Sequence, residues 1–502
     1  MRNLFVTSSP SVLLVAVLAA AGCTETEFIE REVFNPPPDS VHGFLGYFNA
    51  SDKLTACGNC HIGVQSEWEN TVHADAYATL DNNPGAQPFC YTCHTVSENG
   101  NPVAEPAGWS VAEDPAYHDV QCESCHGPGL EHVQNPDASQ PLVSLAVTIP
   151  LEDATNGCAE CHSGTHHPFA EEWSQSGHAT LHPSASTNPS CQPCHSGQGA
   201  LRSWGVNVDY LEKNEASIPI TCAVCHDPHD ATNRGQLRLP VVASTVEEHL
   251  CSQCHNRRTV PDPNSSHGLA PHAPEAALLS GDAGWFPPGA IINEGQIVGS
   301  HGSEGNPTLC ATCHVNQFEV VDPESGDHVF TVTGHLFTAL PCVDAQGIPQ
   351  IGTCEITTTA RSFNGCTSSG CHATAQTAFS ALTTALLEIQ DRAADLLDVL
   401  IQVDPNLDGA GGEIDGAAQP FTVAEGAFFN LNLANFGAAE HSDPPTAETI
   451  LGGAAHNPFL IRALLLASLQ AVQDTYSVTP SGAHGYVDWN AELEALMGRL
   501  PQ

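Results

Sequence analysis

Nine times in this chain two cysteines are followed at once by a histidine. Eight have the spacing C-x-x-C-H: Cys57/Cys60/His61, Cys90/Cys93/His94, Cys122/Cys125/His126, Cys158/Cys161/His162, Cys191/Cys194/His195, Cys222/Cys225/His226, Cys251/Cys254/His255 and Cys310/Cys313/His314. The ninth is stretched to C-x-x-x-x-C-H, at Cys366, Cys371 and His372. C-x-x-C-H is the attachment signature of c-type haem. Each thiol adds to one vinyl group of the porphyrin, and the histidine becomes the proximal ligand of the iron. Zinc ribbons also use C-x-x-C pairs, but they give no reason for a histidine after every pair. Histidine is only 27 of 502 residues, yet it follows all nine pairs. The expected cofactor is nine covalently bound haem c groups.

The second axial ligand sets what such an iron does. Only two methionines exist, Met1 and Met497, whereas 18 histidines lie outside the motifs, twice the number that full His/His ligation needs. Histidine on both faces lowers the potential and closes the metal to substrate, so electron transfer is expected and no catalytic residue is assigned. The distal candidates are His73, His118, His132, His178, His229, His272, His301, His335 and His456. His42, His166, His167, His182, His249 and His267 are reserves, each equally readable as an ordinary surface or packing histidine.

Three of the 21 cysteines fall outside the motifs. Cys23 ends the apolar run Ser11–Gly22, which follows Arg2, is too short to span a membrane and closes in small residues. The run reads as an export signal. Its end, Ala20-Ala21-Gly22-Cys23, resembles a bacterial lipobox, which implies lipidation at Cys23; Thr24 in place of aspartate implies the outer membrane. Cys342 and Cys354 are expected to form a structural disulfide, as an isolated pair in an exported chain does, contributing about 3 kcal/mol by loop closure.

Between Cys57 and His372 each haem has about 35 residues of chain, too few to wrap it in a side-chain core of its own. The haems must then stack as the core, with the chain covering their edges. These segments are rich in Gly, Pro, Ser and Asn with faint apolar periodicity, which predicts short helices and irregular loops with little β-structure. Residues 373–403 and 457–475 carry apolar residues at helical spacing and predict a C-terminal helical subdomain. The expected organisation is a signal peptide over 1–22, an acidic Pro-rich tether over 23–40, duplicated three-haem modules plus a seventh haem over 41–255, the eighth and ninth haems over 256–372, and the helical subdomain over 373–502.

The duplication is visible directly. Cys57, Trp68, His73, Cys90 and Cys122 match Cys158, Trp173, His178, Cys191 and Cys222 at offsets of 100 to 105. Both copies carry Trp-x-x-x-x-His-Ala, and both third motifs lead to a further histidine, His132 and His229. In the tail, Asp404, Asn406, Asp408 and Asp415 fit an EF-hand loop except at the twelfth place, which admits Ca2+ or a plain acidic turn.

Thirteen Lys+Arg against 57 Asp+Glu give a formal charge of −44. Such a surface repels nucleic acid and favours basic redox partners or metal cations, besides keeping an exported protein solvated.

The Trp-x-x-x-x-His-Ala segments, CESCHGPG at 122–129, CHDPH at 225–229 and His456-Asn-Pro resemble multihaem cytochromes c, in particular the group of hydroxylamine oxidoreductase, octahaem tetrathionate reductase and the tetrahaem cytochromes of ammonia oxidisers. The resemblance spans roughly residues 55–475 and implies closely packed parallel and perpendicular haem pairs and a role in anaerobic or nitrogen/sulfur respiration. No C-x-x-C-Lys motif is present, Lys53 and Lys213 are the only lysines, and no equivalent of the cross-linked tyrosine of hydroxylamine oxidoreductase stands out. The resemblance therefore carries no enzyme activity across. The expectation is a lipid-anchored electron carrier exchanging electrons with other cytochromes or redox proteins. Its alternative is a terminal reductase or oxidase of a small nitrogen or sulfur species at one open-site haem.

Overall fold

From Cys57 to His372 the backbone is a succession of single helical turns and loops, as the glycine- and proline-rich sequence requires. The computed structural model describes residues 36–500 apart from 138, 146, 148–156, 165–166, 213, 244, 303–304, 369, 408–410, 417–419 and 438–443. Cys23, His166, Lys213 and Asp408 lie outside the described residues.

Sheet is confined, among the described residues, to three two-stranded antiparallel ribbons: β1 (Tyr47–Asn49) with β2 (Leu54–Thr55), β3 (Phe318–Val321) with β4 (His328–Val332), and β5 (Cys342–Val343) with β6 (Pro349–Gln350). The Cys342–Cys354 disulfide is formed and closes the loop that holds β5 and β6.

After His372 come packed α-helices, most of them longer than any before it among the described residues. They are α1 (Ala375–Val403), α2 (Val423–Ala434), α3 (Leu451–His456), α4 (Pro458–Tyr476) and α5 (Trp489–Met497). All but α3 are capped at the start by a side chain. Thr374 Oγ1 accepts from the Thr377 amide at 3.1 Å, and Thr422 and Glu425 cap α2 reciprocally, at 3.0 and 2.7 Å. Periodicity predicted α1 and α4 within a residue or two; α2 is apolar on nearly every side and α5 is short, so neither shows a clear stripe.

Buried apolar side chains are distributed unevenly. The large core lies among α1, α2, α4 and α5 and includes Phe428, Phe429, Leu466 and Leu396, all fully buried. It also takes in Leu269, Leu278, Ile292 and Ile297, so part of the segment expected to belong with the eighth and ninth motifs packs into the helical tail. Around the first six motifs the buried apolar residues form only small separate clusters, such as Tyr47/Trp68/Ala74 and Leu201/Val208/Leu211. Among the described residues no helix is long and apolar enough to cross a membrane.

Candidate haem sites

Each motif is built on one turn. Residues three apart on a helical turn share a face, which sets the two thiols side by side with the histidine just beyond. The turn closes when the histidine amide donates to the carbonyl of the first cysteine, at 2.9 Å for His61, His162 and His226, 3.0 Å for His255 and 3.1 Å for His195. The stretched motif makes the same bond, His372 to Cys366 at 3.2 Å. All 18 motif cysteines are free of disulfides.

Cys60 departs from the expected covering of haem edges by chain. It is exposed, whereas Cys57 of the same motif is half-buried. The cause is local: residues 59–64 all lie at the surface, and even the apolar Ile62 and Val64 are 70% and 41% exposed. The Cys60 amide still donates to Cys57 O at 3.1 Å, so the turn that a thioether needs is intact. Cys158 and Cys371 are exposed likewise.

Opposite the proximal histidines stand other imidazoles at one recurring distance. Ring centres are 6.4 Å apart for His61 and His132, 6.3 Å for His126 and His229, 6.2 Å for His162 and His73, and 6.4 Å for His226 and His335. They are 6.3 Å apart for His255 and His178, 6.2 Å for His314 and His456, and 6.3 Å for His372 and His301. His195 has His272 at 5.9 Å and His182 at 6.0 Å. Two metal–nitrogen bonds of about 2.0–2.1 Å plus the inner halves of two rings span about 6.3 Å. The gap therefore fits one iron between two histidines.

Orientation fits as well. Nδ1 of His226, His314, His132, His301 and His456 bonds a backbone carbonyl, of Gly235, Phe337, Ser139, Ala455 and Gly452, at 2.6 to 2.9 Å. Nδ1 of His229 bonds Asp227 Oδ1 at 3.1 Å. With Nδ1 occupied, Nε2 is the nitrogen left for a metal. Burial, reinforced by neighbouring imidazoles, holds His162, His178 and His335 down at about 4, so these rings are neutral and able to coordinate.

The duplicated segments position their histidines in the same way. The Trp68 indole donates to Val120 O at 3.1 Å while the Val120 amide donates to His73 O at 3.1 Å. Trp173 and Ile220 repeat this around His178, at 2.8 and 3.1 Å. His73 and His178 each face the first motif of the following unit, at His162 and His255. His132 and His229, in contrast, are not equivalent: His132 faces the first motif, and His229 reaches back to the third.

Of the nine distal candidates, the structure sets all but His118 opposite a proximal ring. His118 instead lies flat on Tyr77, 3.5 Å away and 8° from parallel, beside Trp109. Among the described residues no ring faces His94, whose Nδ1 bonds Ala76 O at 2.9 Å. Lys53 is drawn into ion pairs with Asp75 and Asp119, at 2.5 and 3.6 Å. His249 lies with Cys251 and Cys310 in a cluster of metal-ligand type. Its Nδ1, however, accepts from the Cys251 amide at 3.1 Å and its Nε2 meets Thr308 O at 3.3 Å, so both nitrogens are used. Buried Asp404 spends its carboxylate on the amides of Asn406 and Ile414, at 3.1 and 3.0 Å, and Asp415 accepts from the Gly411 amide at 3.3 Å.

Two positioning residues were not visible in the spacing. Glu172 accepts from the amides of Thr333 and His335, at 2.8 and 2.7 Å, and from Thr333 Oγ1 at 2.6 Å, fixing the strand end that presents His335. Asn457 donates to Leu278 O and Ile297 O, at 2.9 and 2.8 Å, and caps α4 through the Leu460 amide at 3.0 Å. It thereby fixes the preceding His456, which closes α3 rather than opening a helix. Glutamates and asparagines are too common for either to be picked out without the fold.

Thiols of different motifs also meet. Cys57 lies beside Cys122, Cys158 beside Cys222, and Cys251 beside Cys310. Cys125 neighbours Cys158, Cys225 neighbours Cys251 and Cys254, and Cys313 neighbours Cys366 and Cys371. The second motif joins at the fourth through Cys93 and Cys161, and the fifth at the seventh through Cys194 and Cys254.

Known proteins resemble parts of this arrangement. Residues 56–127 match the family described as cytochrome c554 and c-prime, and residues 219–259 match the doubled CXXCH motif. The multiheme cytochrome MtrA of Shewanella baltica (strain OS185) is 25% identical over 224 residues, which is 39% of this chain. The chain spans 63% of the length of that relative. No solved structure matches. The matched segments fall on the C-x-x-C-H turns, through which cytochromes of this class bind haem covalently, and on these grounds the chain is a multihaem c-type cytochrome.

Proposed function

We propose that the protein is a lipid-anchored nonahaem cytochrome that carries electrons along a bis-histidine haem array between periplasmic donors and an acceptor at or beyond the outer membrane. The observation that carries this reading is the set of eight proximal histidines with a facing imidazole at 5.9 to 6.4 Å. An iron held on both sides has no position for substrate and changes little in geometry on reduction. When bound, haem supplies the redox chemistry; the chain supplies ligands, spacing and dielectric.

Contacts between thiols support an order for the array. Haems attached at neighbouring cysteines would lie next to one another, in the order first, third, fourth, sixth, seventh, eighth, ninth. The second and fifth sites are spurs on the fourth and seventh. The match of 56–127 to the cytochrome c554 and c-prime family supports a multihaem cytochrome, and the nearer place among the hydroxylamine oxidoreductase, octahaem and tetrahaem group rests on the sequence motifs alone. Lipidation at Cys23 and partners that are basic cytochromes or metal cations rest on the sequence alone.

Carbon monoxide and ferric electron paramagnetic resonance test the reading. Low-spin signals throughout, with no gas uptake on reduction, are expected. A second reading, a reductase or oxidase of a small nitrogen or sulfur species, has one foothold, the second site, where His94 lacks a facing ring among the described residues. A high-spin haem that binds carbon monoxide in the native protein decides for it.

A further inference from the structure

We infer that Glu275 lowers the reduction potential of the seventh site, acting as an anionic hydrogen-bond acceptor behind its proximal ligand, His255. The inference rests on the C-x-x-C-H motifs carrying haem and deepens that reading. Backbone bonds place the glutamate. The Arg257 amide donates to Ala273 O at 3.1 Å, and the Ala276 amide donates to His255 O at 3.0 Å. They join the residues just past the seventh motif to 272–276, so the stretch that presents His272 to His195 also sets Glu275 behind His255. Glu275 Oε2 lies 3.5 Å from His255 Nδ1. That oxygen is buried, and among the described residues it has no hydrogen-bond partner. A carboxylate oxygen in that state is costly to bury. An imidazole that gives Nε2 to iron keeps its proton on Nδ1, and His255 then supplies the donor that Oε2 lacks.

The other proximal rings differ. Nδ1 of His94, His226 and His314 bonds a backbone carbonyl, a neutral acceptor. Among the described residues His255 is the one proximal ring paired with a carboxylate. The distal ring His229 has Asp227 at 3.1 Å, but Arg238 pairs with that aspartate at 2.6 Å and offsets its charge. No lysine or arginine among the described residues pairs with Glu275. A carboxylate on Nδ1–H makes the ring a stronger electron donor, and its negative charge favours ferric over ferrous iron. Reduction adds one electron to the iron; no ligand bond forms or breaks, and the proton stays on Nδ1. Glu275 also lies within electrostatic reach of His272 and His456, so the fifth and eighth sites feel its charge more weakly.

The test is a redox titration of the holoprotein followed by haem absorbance. Glu275→Gln keeps the side-chain shape and removes the charge. About one-ninth of the absorbance change is expected to move to higher potential by roughly tenfold in the one-electron equilibrium, ~59 mV, with smaller upward shifts in two further ninths. The low-spin spectrum and the haem-to-protein ratio are expected to stay as they were. Glu275→Asp keeps the charge but falls short of Nδ1, and is expected to move the same ninth part of the way, which a merely structural role for Glu275 does not explain. The inference is overturned if Glu275→Gln leaves the titration curve in place, if the whole curve moves uniformly, or if Glu275→Asp shifts it as far as Glu275→Gln does. Should Glu275→Gln fail to accumulate, Glu275→Asp decides alone: a partial upward shift of one-ninth supports the assignment, and an unmoved curve overturns it. A preparation without iron fails the haem reading itself, an outcome distinct from all of these.

Discussion

An imidazole binds iron only when neutral, and burial keeps His162, His178 and His335 neutral. For His162, His178 and His335 the shift is from 6.5 to about 4. Between those values the unfolded chain binds more protons than the native one, so stability is full above about 6.5 and is lost as pH falls toward 4. An acid titration followed by absorbance should show the haems staying low-spin at neutral pH and converting to high spin only at the acid end; conversion centred near 7 contradicts the burial argument. Glu172 acts one step behind a ligand. Glu172→Ala removes three hydrogen bonds to buried groups and should lower unfolding free energy by about 2–4 kcal/mol, with a single haem turning partly high-spin because His335 loosens. A stability loss with all haems unchanged would leave Glu172 structural only. Proximal ligands were legible because attachment chemistry fixes them next to the cysteines. Exposure was not legible: nothing in the motif distinguishes Cys60, at the surface, from the half-buried Cys57 beside it. Distal ligands were not fixed by spacing either, since each arrives from a different stretch of chain, and His118 shows how a histidine at a plausible place is captured by a tyrosine face.

At the scale of elements, the division of labour is between single turns that hold thiols and long helices that bury apolar surface. The tail is not a separate appendage. The α3–α4 junction presents His456 to His314, and Ala455 O holds Nδ1 of His301, which faces His372. Asn457 ties that junction to the segment around Leu278 and Ile297. Asn457→Ala loses a helix cap of about 1 kcal/mol and leaves two buried carbonyls unpaired at about 1–3 kcal/mol each. Thermal unfolding should begin several degrees lower, and the haem paired through His456 should become mixed-spin while the first six sites keep their spectrum. Loss confined to the early sites would contradict this placement. Helical periodicity announced α1 and α4, and glycine and proline announced the loops. What the sequence did not reveal is that 269–297 packs with the tail, because contact across that distance leaves no local pattern.

For the molecule as a whole, a formal charge of −44 surrounds the array. Association with a basic redox partner should therefore slow steeply as salt rises past the point where the Debye length falls to about 8–10 Å. Stopped-flow electron exchange measures this, and a rate indifferent to ionic strength removes the steering role of the acidic surface. In the proposed reading electrons would pass from the first to the ninth site, with the second and fifth as spurs. Its premise is that every cysteine–histidine turn carries a haem, including the stretched turn at Cys366–His372. The most direct measurement is the intact mass of the purified chain under denaturing conditions. The account predicts the polypeptide plus nine haems, retained after unfolding because the thioethers are covalent. A mass equal to the bare polypeptide, or one that accounts for fewer than nine haems, contradicts it.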